Sequence, residues 1–143
     1  QNVDDLHERG GTQKLYHMHG ALNSALCAVC DFRWAAPMTM GVGDPCPKCS
    51  APAARPDIVW FGEMPYDMET LFRHLGEADV FAAIGTSGNV YPAAGFVAEA
   101  RASGAHTIEF TLAPSAVGSQ FAEHRTGPAT QTVTAWVRDV LAG

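Results

Sequence analysis

The stretch that decides the fold is "ADVFAAIGTSGNVYPAAGFVAEARASGAHTIEFTL", residues 78–112. Its apolar start, 78–85, predicts a buried strand. A helix is predicted over 91–104, with a proline in its first turn and a glycine at its end, and a second strand over 106–112. Strands that alternate with helices imply a parallel sheet, so the stretch predicts an α/β fold.

Further elements flank this stretch. The run "PDIVWFGE" (56–63) predicts a strand, and "DMETLFRHLG" (67–76) predicts a helix with Asp67 as its N-cap and Gly76 just past its end. The C-terminal segment 132–143 predicts a last helix that packs on the sheet. The apolar face of that helix consists of Val133, Trp136, Val137, Val140 and Leu141, and we expect Trp136 in the core.

The composition is that of a packed domain. Hydrophobic residues make up 47% of the 143 residues and charged residues 17%, which fits one globular domain and excludes a disordered tail. Because the sequence has neither a long apolar run nor a signal-peptide pattern, we expect no membrane span and a cytoplasmic location. A net charge of -6 with nine unclustered Lys and Arg argues against direct nucleic-acid binding.

All four cysteines fall in two Cys-x-x-Cys pairs, Cys27 with Cys30 and Cys46 with Cys49. Each pair aims two thiolates at one point, and two such pairs are typical of a tetrahedral zinc site in a cytosolic chain. Four thiolates leave no open coordination position, so one zinc ion would be structural and would need no histidine. A redox dithiol is the alternative.

A second candidate site follows the central strand, in "GTSGNVYP" (85–92). Ligands of open α/β sheets bind beyond the carboxyl ends of the strands. Gly85 and Gly88 would permit close backbone approach, and Thr86 and Ser87 offer hydroxyls to a ribose or a phosphate. By itself this segment is equally well explained as a short turn before a helix.

Several motifs occur together along the chain. They are "QNVD" (1–4), "HMHG" (17–20), the two Cys-x-x-Cys pairs, "VWFGE" (59–63), "GTSGNVYPAAGF" (85–96) and "GPA" (127–129). Their order and spacing resemble those of the sirtuins, which are NAD-dependent protein-lysine deacylases, from Gln1 to the C-terminus. The wording of "NVYPAAGF" and of "DLHERGG" (5–11) is most similar to the class III branch of bacteria and mitochondria.

The resemblance implies a Rossmann-like parallel sheet with helices on both faces and a small zinc-ribbon insertion. Residues 1–20 and 55–143 would form the NAD-binding body, and residues 21–54 the zinc module. Sirtuins begin with a "GAGxS" turn and a "GIPxFR" loop, neither of which is present here. We therefore expect the chain to be a C-terminal portion of a deacylase that is inactive in isolation, and its acyl preference would depend on the absent portion.

The resemblance also implies residue roles. His19 would be the catalytic base, because a neutral histidine can take a ribose hydroxyl proton after the acyl-lysine oxygen attacks the NAD ribose and nicotinamide leaves. The products would be nicotinamide, O-acyl-ADP-ribose and the deacylated lysine. The residues expected to contact NAD are Gln1, Asn2, Val3, Asp4, Gly85, Thr86, Ser87, Thr111, Leu112, Ala113 and Ala129.

By the same resemblance, the acyl-lysine protein or peptide would bind as an added strand, which relies on backbone hydrogen bonds and accepts many sequences. The residues expected around it are Val59, Phe61, Gly62 and Glu63 on one side and Val90 on the other. Thr111 departs from the family, which usually has an asparagine there that contacts the adenosine ribose. Threonine keeps a hydroxyl but lacks the second donor of an amide, so we expect weaker cofactor binding at this point.

The two histidines of "HMHG" are predicted to lie on a strand, with His19 at its carboxyl end. Their spacing would place both side chains on one face, and we interpret His17 as a packing or hydrogen-bonding residue. Without the resemblance, a histidine flanked by apolar residues is more often structural than catalytic.

Two other functions stay open. The chain could be a zinc-stabilised module that binds partner proteins through its peptide groove without catalysis. A nucleic-acid-binding zinc ribbon is poorly supported, because the cations around the cysteines are only Arg33, Lys48 and Arg55.

Overall fold

The computed structural model describes all 143 residues, which fold into two compact units, Gln1–Met68 and Glu69–Gly143. The first unit contains an antiparallel sheet and the second a parallel sheet. None of the helices combines the length and the apolar character needed to cross a bilayer. The division at residues 21–54 that we expected from the resemblance stays a prediction.

The first unit is built around one central strand. A short helix, α1 (Leu6–Arg9), precedes the strands β1 (Gly20–Cys27), β2 (Arg33–Ala35) and β3 (Ala54–Ile58). β1 lies in the middle and pairs antiparallel with both neighbours, and a bulge interrupts its pairing with β3. The sequence predicted neither β1 nor β2 as strands.

Few apolar side chains are buried in the first unit. They are Met18, Ala25, Leu26, Cys27, Cys46 and Pro65. A core of this size buries too little apolar surface to stabilise a fold alone, so hydrogen bonds and a bound metal must contribute.

β1 and β3 approach very closely at Gly20, the first residue of β1. Gly20 has φ +86, and a Cβ added to it would lie 1.9 Å from the carbonyl oxygen of Asp57 on β3. Only glycine adopts this backbone conformation without strain and leaves room for the neighbouring strand. The contact fixes where β1 begins.

The second unit contains three strands and three helices with two short 3-10 turns between them. The elements are α2 (Met68–Glu77), β4 (Val80–Ile84), a turn at Ala93–Gly95, α3 (Phe96–Ala102), β5 (His106–Thr111), a turn at Gly118–Gln120, β6 (Glu123–Thr126) and α4 (Ala129–Ala142). Met68, the first residue of α2, belongs to the first unit.

The strands of the second unit form a parallel sheet, as predicted, and their order is β4-β5-β6. On one face, Val97 of α3 packs in a cluster with Ala83 of β4 and Phe121. On the other face, the ring of Trp136 of α4 lies edge-on to Phe110 of β5, with centroids 5.7 Å apart. Helices therefore cover both faces, and the predicted α/β class is confirmed.

The end of α3 was predicted correctly at Gly104. Gly104 has φ +95 and donates its N–H to the carbonyl of Arg101 at 3.1 Å, while Ala105 donates to Ala100 at 3.0 Å. This pair of bonds is the Schellman motif, which satisfies the last carbonyls of a helix and favours glycine. The start was predicted too early, because the chain first makes the 3-10 turn.

The strand predicted over 56–63 is wrong in length and in partner. β3 runs over Ala54–Ile58 and pairs antiparallel with β1 instead of joining the parallel sheet. The chain turns back after it, because Glu63 donates its N–H to the Trp60 carbonyl at 3.0 Å and the Glu63 carboxylate accepts the Trp60 N–H at 3.0 Å. Gly76, predicted to follow α2, lies within its last turn.

The last helix was predicted in the right place but packs less than expected. Val133 and Trp136 are half-buried, so Trp136 is not fully in the core. Val137, Val140 and Leu141 are exposed by 39%, 58% and 82%. Only the first half of the predicted apolar face therefore lies against the sheet. The strand β6, which precedes this helix, was not predicted from the sequence.

The close approach of β1 to β3 predicts that Gly20→Ala destabilises the protein by about 3 kcal/mol or more, because the left-handed backbone and the contact with Asp57 both oppose a side chain. Gly43→Ala is the matched control, since Gly43 has φ +88 and nothing within 4 Å of an added Cβ. It should cost only about 1–2 kcal/mol. Urea unfolding measures both, and equal losses would contradict the close approach.

Candidate functional site

The four cysteine sulfurs converge beyond the end of β1. All four Sγ atoms lie within 4.8 Å of one another, with 3.7 Å between Cys27 and Cys49 and 3.8 Å between Cys30 and Cys46. A tetrahedron with Zn–S bonds of about 2.3 Å has sulfur–sulfur edges of about 3.8 Å, so the cluster fits one zinc ion. Sulfurs joined in a disulfide would be only about 2.05 Å apart.

Backbone N–H groups point at two of these sulfurs. Val29 donates to Cys27 Sγ at 3.4 Å and Lys48 to Cys46 Sγ at 3.3 Å. The bond from Val29 is the main reason that the pKa of the Cys27 thiol is lowered to about 7. Such donors stabilise the thiolate, which is the form that binds a metal.

Neither histidine of "HMHG" belongs to the cysteine cluster. Four thiolates complete a tetrahedral zinc site, which agrees with the prediction of a structural zinc that needs no histidine. His17 and His19 are therefore available for other contacts.

His19 lies in a turn directly before β1. Its Nδ1 is 3.2 Å from the carbonyl oxygen of Gln1. A carbonyl oxygen only accepts hydrogen bonds, so Nδ1 carries the proton and Nε2 of the neutral ring keeps a free lone pair. This is the tautomer of a general base that acts through Nε2.

The backbone around His19 is held from two sides. Val59 donates its N–H to the His19 carbonyl, and Tyr66 donates its N–H to the Met18 carbonyl, both at 2.9 Å. The prediction that His19 ends a strand is wrong, because the strand begins at Gly20 and belongs to the antiparallel sheet.

His17 is not on a strand either, and it contacts a different element from His19. Its Nε2 lies 2.6 Å from Oε1 of Glu8 on α1. This hydrogen bond is the main cause of a lowered pKa of the Glu8 carboxyl. The two ring positions therefore make separate contacts, which agrees with a hydrogen-bonding role for His17.

The first four residues run beside β1. The Val3 carbonyl accepts the N–H of Leu22 on β1 at 2.8 Å, and Asp4 Oδ1 accepts the N–H of Leu6 at 3.0 Å. Asn2 is exposed. Together with the contact between Gln1 and His19, these bonds hold the segment close to His19.

The turn after β3 is closed by an ion pair. Arg55 donates Nη1 to Oε1 of Glu63 at 2.6 Å and Nη2 to Oε2 at 2.8 Å, and its guanidinium lies 5.9 Å from the ring centroid of Trp60. The hydrogen bond from Arg55, followed by that from Trp60, lowers the pKa of Glu63 to about 2. Between these anchors Phe61 is 98% exposed.

The candidate nucleotide segments of the second unit meet at one edge of its sheet. Gly85 follows β4 and donates its N–H to the Phe110 carbonyl at 2.9 Å, and Gly127 follows β6 and donates to the Thr111 carbonyl at 3.0 Å. Ala129 begins α4 just beyond. The carboxyl ends of parallel strands share an edge, and ligands of such sheets bind there.

Local hydrogen bonds shape this edge. Ser87 accepts the Ala116 N–H at its carbonyl at 2.9 Å. The Thr111 hydroxyl donates to the Ala113 carbonyl at 2.6 Å, so it offers a ligand only its remaining acceptor capacity. Leu112 beside it is 74% exposed.

The predicted residues fall into two groups, each within one unit. The first unit holds Gln1, Asn2, Val3, Asp4, His19, Val59, Phe61, Gly62, Glu63 and the four cysteines, and the second holds Gly85, Thr86, Ser87, Val90, Thr111, Leu112, Ala113 and Ala129. In the second group, Val90 starts the turn into α3, where its carbonyl accepts the Ala94 N–H at 2.9 Å.

Several polar residues around these groups were not predicted from the sequence. Arg55 is the partner of Glu63, and Asp57 is a buried carboxylate in β3. In the second unit Glu109 is 1% exposed and takes a hydrogen bond from His124 Nδ1 at 3.2 Å, while its Oε1 has no partner. Asp57 and Glu109 carried a readable signal, because a charge inside an apolar strand needs buried partners.

The sulfur geometry predicts that native mass spectrometry finds one zinc ion per chain, and that Cys46→Ser loses the ion and lowers the melting temperature. The reason is that metal binding to this small-core unit is part of its folding free energy. Thr39→Ala, an exposed change in the same loop, should keep both the zinc and the melting temperature. A Cys46→Ser protein with normal stability would contradict a structural metal.

The Arg55–Glu63 pair predicts a pH-dependent contribution to stability. Since the pKa of Glu63 is lowered from 4.5 to about 2, its contribution is complete above pH 4.5 and is lost as the pH falls towards 2. The difference in unfolding free energy between the parent protein and Glu63→Gln should therefore shrink between pH 5 and pH 3. Urea unfolding measures it, with Glu77→Gln as control for an exposed carboxylate outside any ion pair. A difference that is constant with pH would refute the effect.

Comparisons with known proteins identify relatives of this chain. The model of the Sir2 family matches residues 1–92. The NAD-dependent protein deacylase of Vibrio cholerae is 52% identical over 143 residues, which are 99% of this chain and 58% of that protein. The chain thus spans little more than half the length of this relative.

Solved structures share the fold. A Sir2 homolog–NAD complex superposes with a TM-score of 0.90 at 32% identity, covering 99% of this chain and 57% of that one. Sir2Af2 bound to a myristoylated histone peptide has a TM-score of 0.80 at 25% identity, covering 98% of this chain and 62% of that one. With the family model matching well over half of its length, and with its cysteine cluster and its histidine in place, the chain belongs to the Sir2 family.

Proposed function

We propose that this chain forms part of an NAD-dependent protein-lysine deacylase and that His19 is its general base. The observation that carries the proposal is the hydrogen bond between His19 Nδ1 and the Gln1 carbonyl, at 3.2 Å. It leaves Nε2 unprotonated in the neutral ring, which is the state a base requires near neutral pH. The name of the Vibrio cholerae relative supports the same reaction class.

The substrate side of the site is supported by the segment that follows β3. Val59 already bonds to the His19 carbonyl, so a peptide paired along residues 59–63 would pass next to the histidine. The Arg55–Glu63 pair holds this segment in place, and the exposed Phe61 offers apolar surface to an acyl chain. Val90, in the second unit, is a further proposed substrate contact. The myristoylated histone peptide bound by Sir2Af2 is consistent with such a substrate.

Bound NAD would supply the ribose carbon that the acyl oxygen attacks as nicotinamide leaves and the ribose hydroxyl that takes the acyl group, so that with one water the products would be nicotinamide, O-acyl-ADP-ribose and free lysine. The chain's own part is to bind and to move a proton. His19 Nε2 would take the proton of a ribose hydroxyl, and the resulting charged ring would be stabilised by the Gln1 carbonyl at Nδ1. Asn2, Val3 and Asp4 would line the nicotinamide pocket.

We also propose nucleotide contacts at the sheet edge of the second unit. Gly85, Thr86 and Ser87 would contact the nicotinamide ribose, and Thr111, Leu112, Ala113 and Ala129 the adenosine. Because the Thr111 hydroxyl already donates to Ala113, its contact with the ribose would be that of an acceptor. This supports the expectation of a weaker cofactor contact here.

A protein-binding module without catalysis is the second candidate. It is favoured by the adjacent Trp60 and Phe61, which are 55% and 98% exposed. A single exposed apolar residue needs no partner, but two neighbours on a rigid turn form a ready contact surface. This function would show as peptide binding by the 143-residue chain without turnover.

We also propose the division into a body of residues 1–20 and 55–143 and a zinc module of residues 21–54, which is supported by the position of all four cysteines within 21–54. Four unoxidised thiols that converge on one point suit a reducing compartment, which supports the cytoplasm as the location.

The base assignment predicts that His19→Ala lowers NAD-dependent deacylation by about 10²- to 10⁴-fold in a protein that joins this chain to the N-terminal portion of its Vibrio cholerae relative. Nicotinamide release from an acyl-lysine peptide is the measurement. His17→Ala is the control and should lower the rate much less, because His17 faces Glu8. Zinc content should not change in either variant. Near-normal turnover of His19→Ala, or loss of its zinc, would refute the assignment.

A further inference from the structure

The first unit contains one buried carboxylate, Asp57, which is 6% exposed. It accepts three side-chain hydrogen bonds, from Ser24 Oγ and Arg33 Nε at Oδ2, both at 2.9 Å, and from the Tyr66 hydroxyl at Oδ1, at 2.8 Å. A buried carboxylate is stable only when its lone pairs are taken up in this way, so the three donors are held together by it.

One of these donors, Tyr66, also contacts the turn that contains His19. The side chain of Tyr66 ends at Asp57, and its backbone N–H holds the carbonyl of Met18, the residue before His19. Burial raises the pKa of the Tyr66 hydroxyl, so it keeps its proton and stays a donor at neutral pH. A shift of Tyr66 would therefore move the backbone that carries His19.

The backbone of Asp57 reaches the same turn from the other side. In the pairing of β1 with β3, Gly20 lies opposite Ile58 and Ala21 opposite Asp57. Val59, which directly follows β3 and is two residues after Asp57, donates its N–H to the His19 carbonyl. The backbone of Met18 and His19 is therefore held by Tyr66, whose hydroxyl bonds to Asp57, and by Val59, which follows Asp57 closely along the chain.

The other two donors to Asp57, Arg33 and Ser24, lie on the strands β2 and β1. Arg33 begins β2, where it pairs with Leu26 beside the zinc ligand Cys27, and its guanidinium lies 5.1 Å from the Tyr66 ring centroid. Ser24 lies on β1, within the irregular stretch of its pairing with β3. The carboxylate therefore links the zinc-bearing strands to the histidine turn.

We propose that Asp57 is a positioning residue, which acts through Tyr66 to hold His19 in the single tautomer that the Gln1 carbonyl selects. The inference rests on the proposed role of His19 as the base. An asparagine cannot replace the carboxylate, because its amide offers one acceptor oxygen and turns an N–H₂ group towards another donor. At 3.2 Å, the hydrogen bond between His19 and Gln1 is already at the long end of the usual range, so a displaced turn would weaken it.

The test reads the tautomer of His19 directly by nitrogen NMR of the histidine rings in the 143-residue chain, with His19→Gln used to assign the signal. Tyr66→Phe removes only the hydroxyl and keeps the backbone bond to Met18. It should lower the ratio of the Nδ1-protonated to the Nε2-protonated form by about fivefold, the factor that the net contribution of one hydrogen bond corresponds to.

Ser24→Ala is the matched control, because it removes one hydrogen bond to the same carboxylate without touching the histidine turn. It should leave the tautomer ratio unchanged. Asp57→Asn should lower the ratio at least as much as Tyr66→Phe, and the double variant no more than Asp57→Asn alone, since both changes act through one bond. If Asp57→Asn does not fold, the difference in the His19 tautomer ratio between Tyr66→Phe and Ser24→Ala tests the proposal.

An unchanged His19 ratio in Tyr66→Phe, or an equal change in Ser24→Ala, would overturn the proposal, and so would additive effects in the double variant. These results do not depend on turnover. Should the tautomer respond as expected while His19→Ala retains deacylation, the positioning by Asp57 would stand and the role of His19 as base would fall.

Discussion

The pairing of β1 with β3 is the constraint on which the first unit depends. β1 begins at Gly20, directly after His19, and ends at Cys27, a zinc ligand. β3 runs beside it in the opposite direction, so that Ala54 lies opposite Cys27 and Ile58 opposite Gly20. One strand pairing therefore fixes the histidine turn at one end and the metal site at the other, and the absence of a side chain at Gly20 is what lets the strands meet.

This arrangement places the metal site and His19 at opposite ends of the β1–β3 pairing. β3 covers the span from Cys27 to Gly20 in four residue steps, from Ala54 to Ile58, because β1 bulges between Ala21 and Ala25. At about 3.3 Å per residue, the two ends of the pairing lie roughly 13 Å apart. A complete set of four thiolates leaves no open coordination position on the metal. What the zinc can do is hold the far end of the sheet together in a unit with a small core, while the Asp57 hydrogen bonds carry that order to the near end.

The second unit reaches its site by a different rule. Parallel strands place their carboxyl ends at one edge, so segments from distant parts of the chain, at Gly85, Thr111 and Gly127, become neighbours and are joined by backbone hydrogen bonds. At this edge the hydroxyl of Thr111 donates to the Ala113 carbonyl. In the first unit, single side chains such as Arg55 and Glu63 hold the turn after β3.

The sequence by itself determined whatever depends on neighbours along the chain. The two Cys-x-x-Cys pairs, the alternation of strands and helices after residue 78 and the glycine that ends α3 were all readable, because each is a local spacing or a local backbone requirement. Only the tertiary structure decided which strands pair and which charges meet. Asp57 lies 33 residues from Ser24 and 24 from Arg33 along the chain. The apolar run around Asp57 resembled a strand of the parallel sheet, but in the structure it pairs antiparallel with β1. Hydrogen bonds between such distant residues leave no periodic trace in the sequence, since they form only after the strands have found their register.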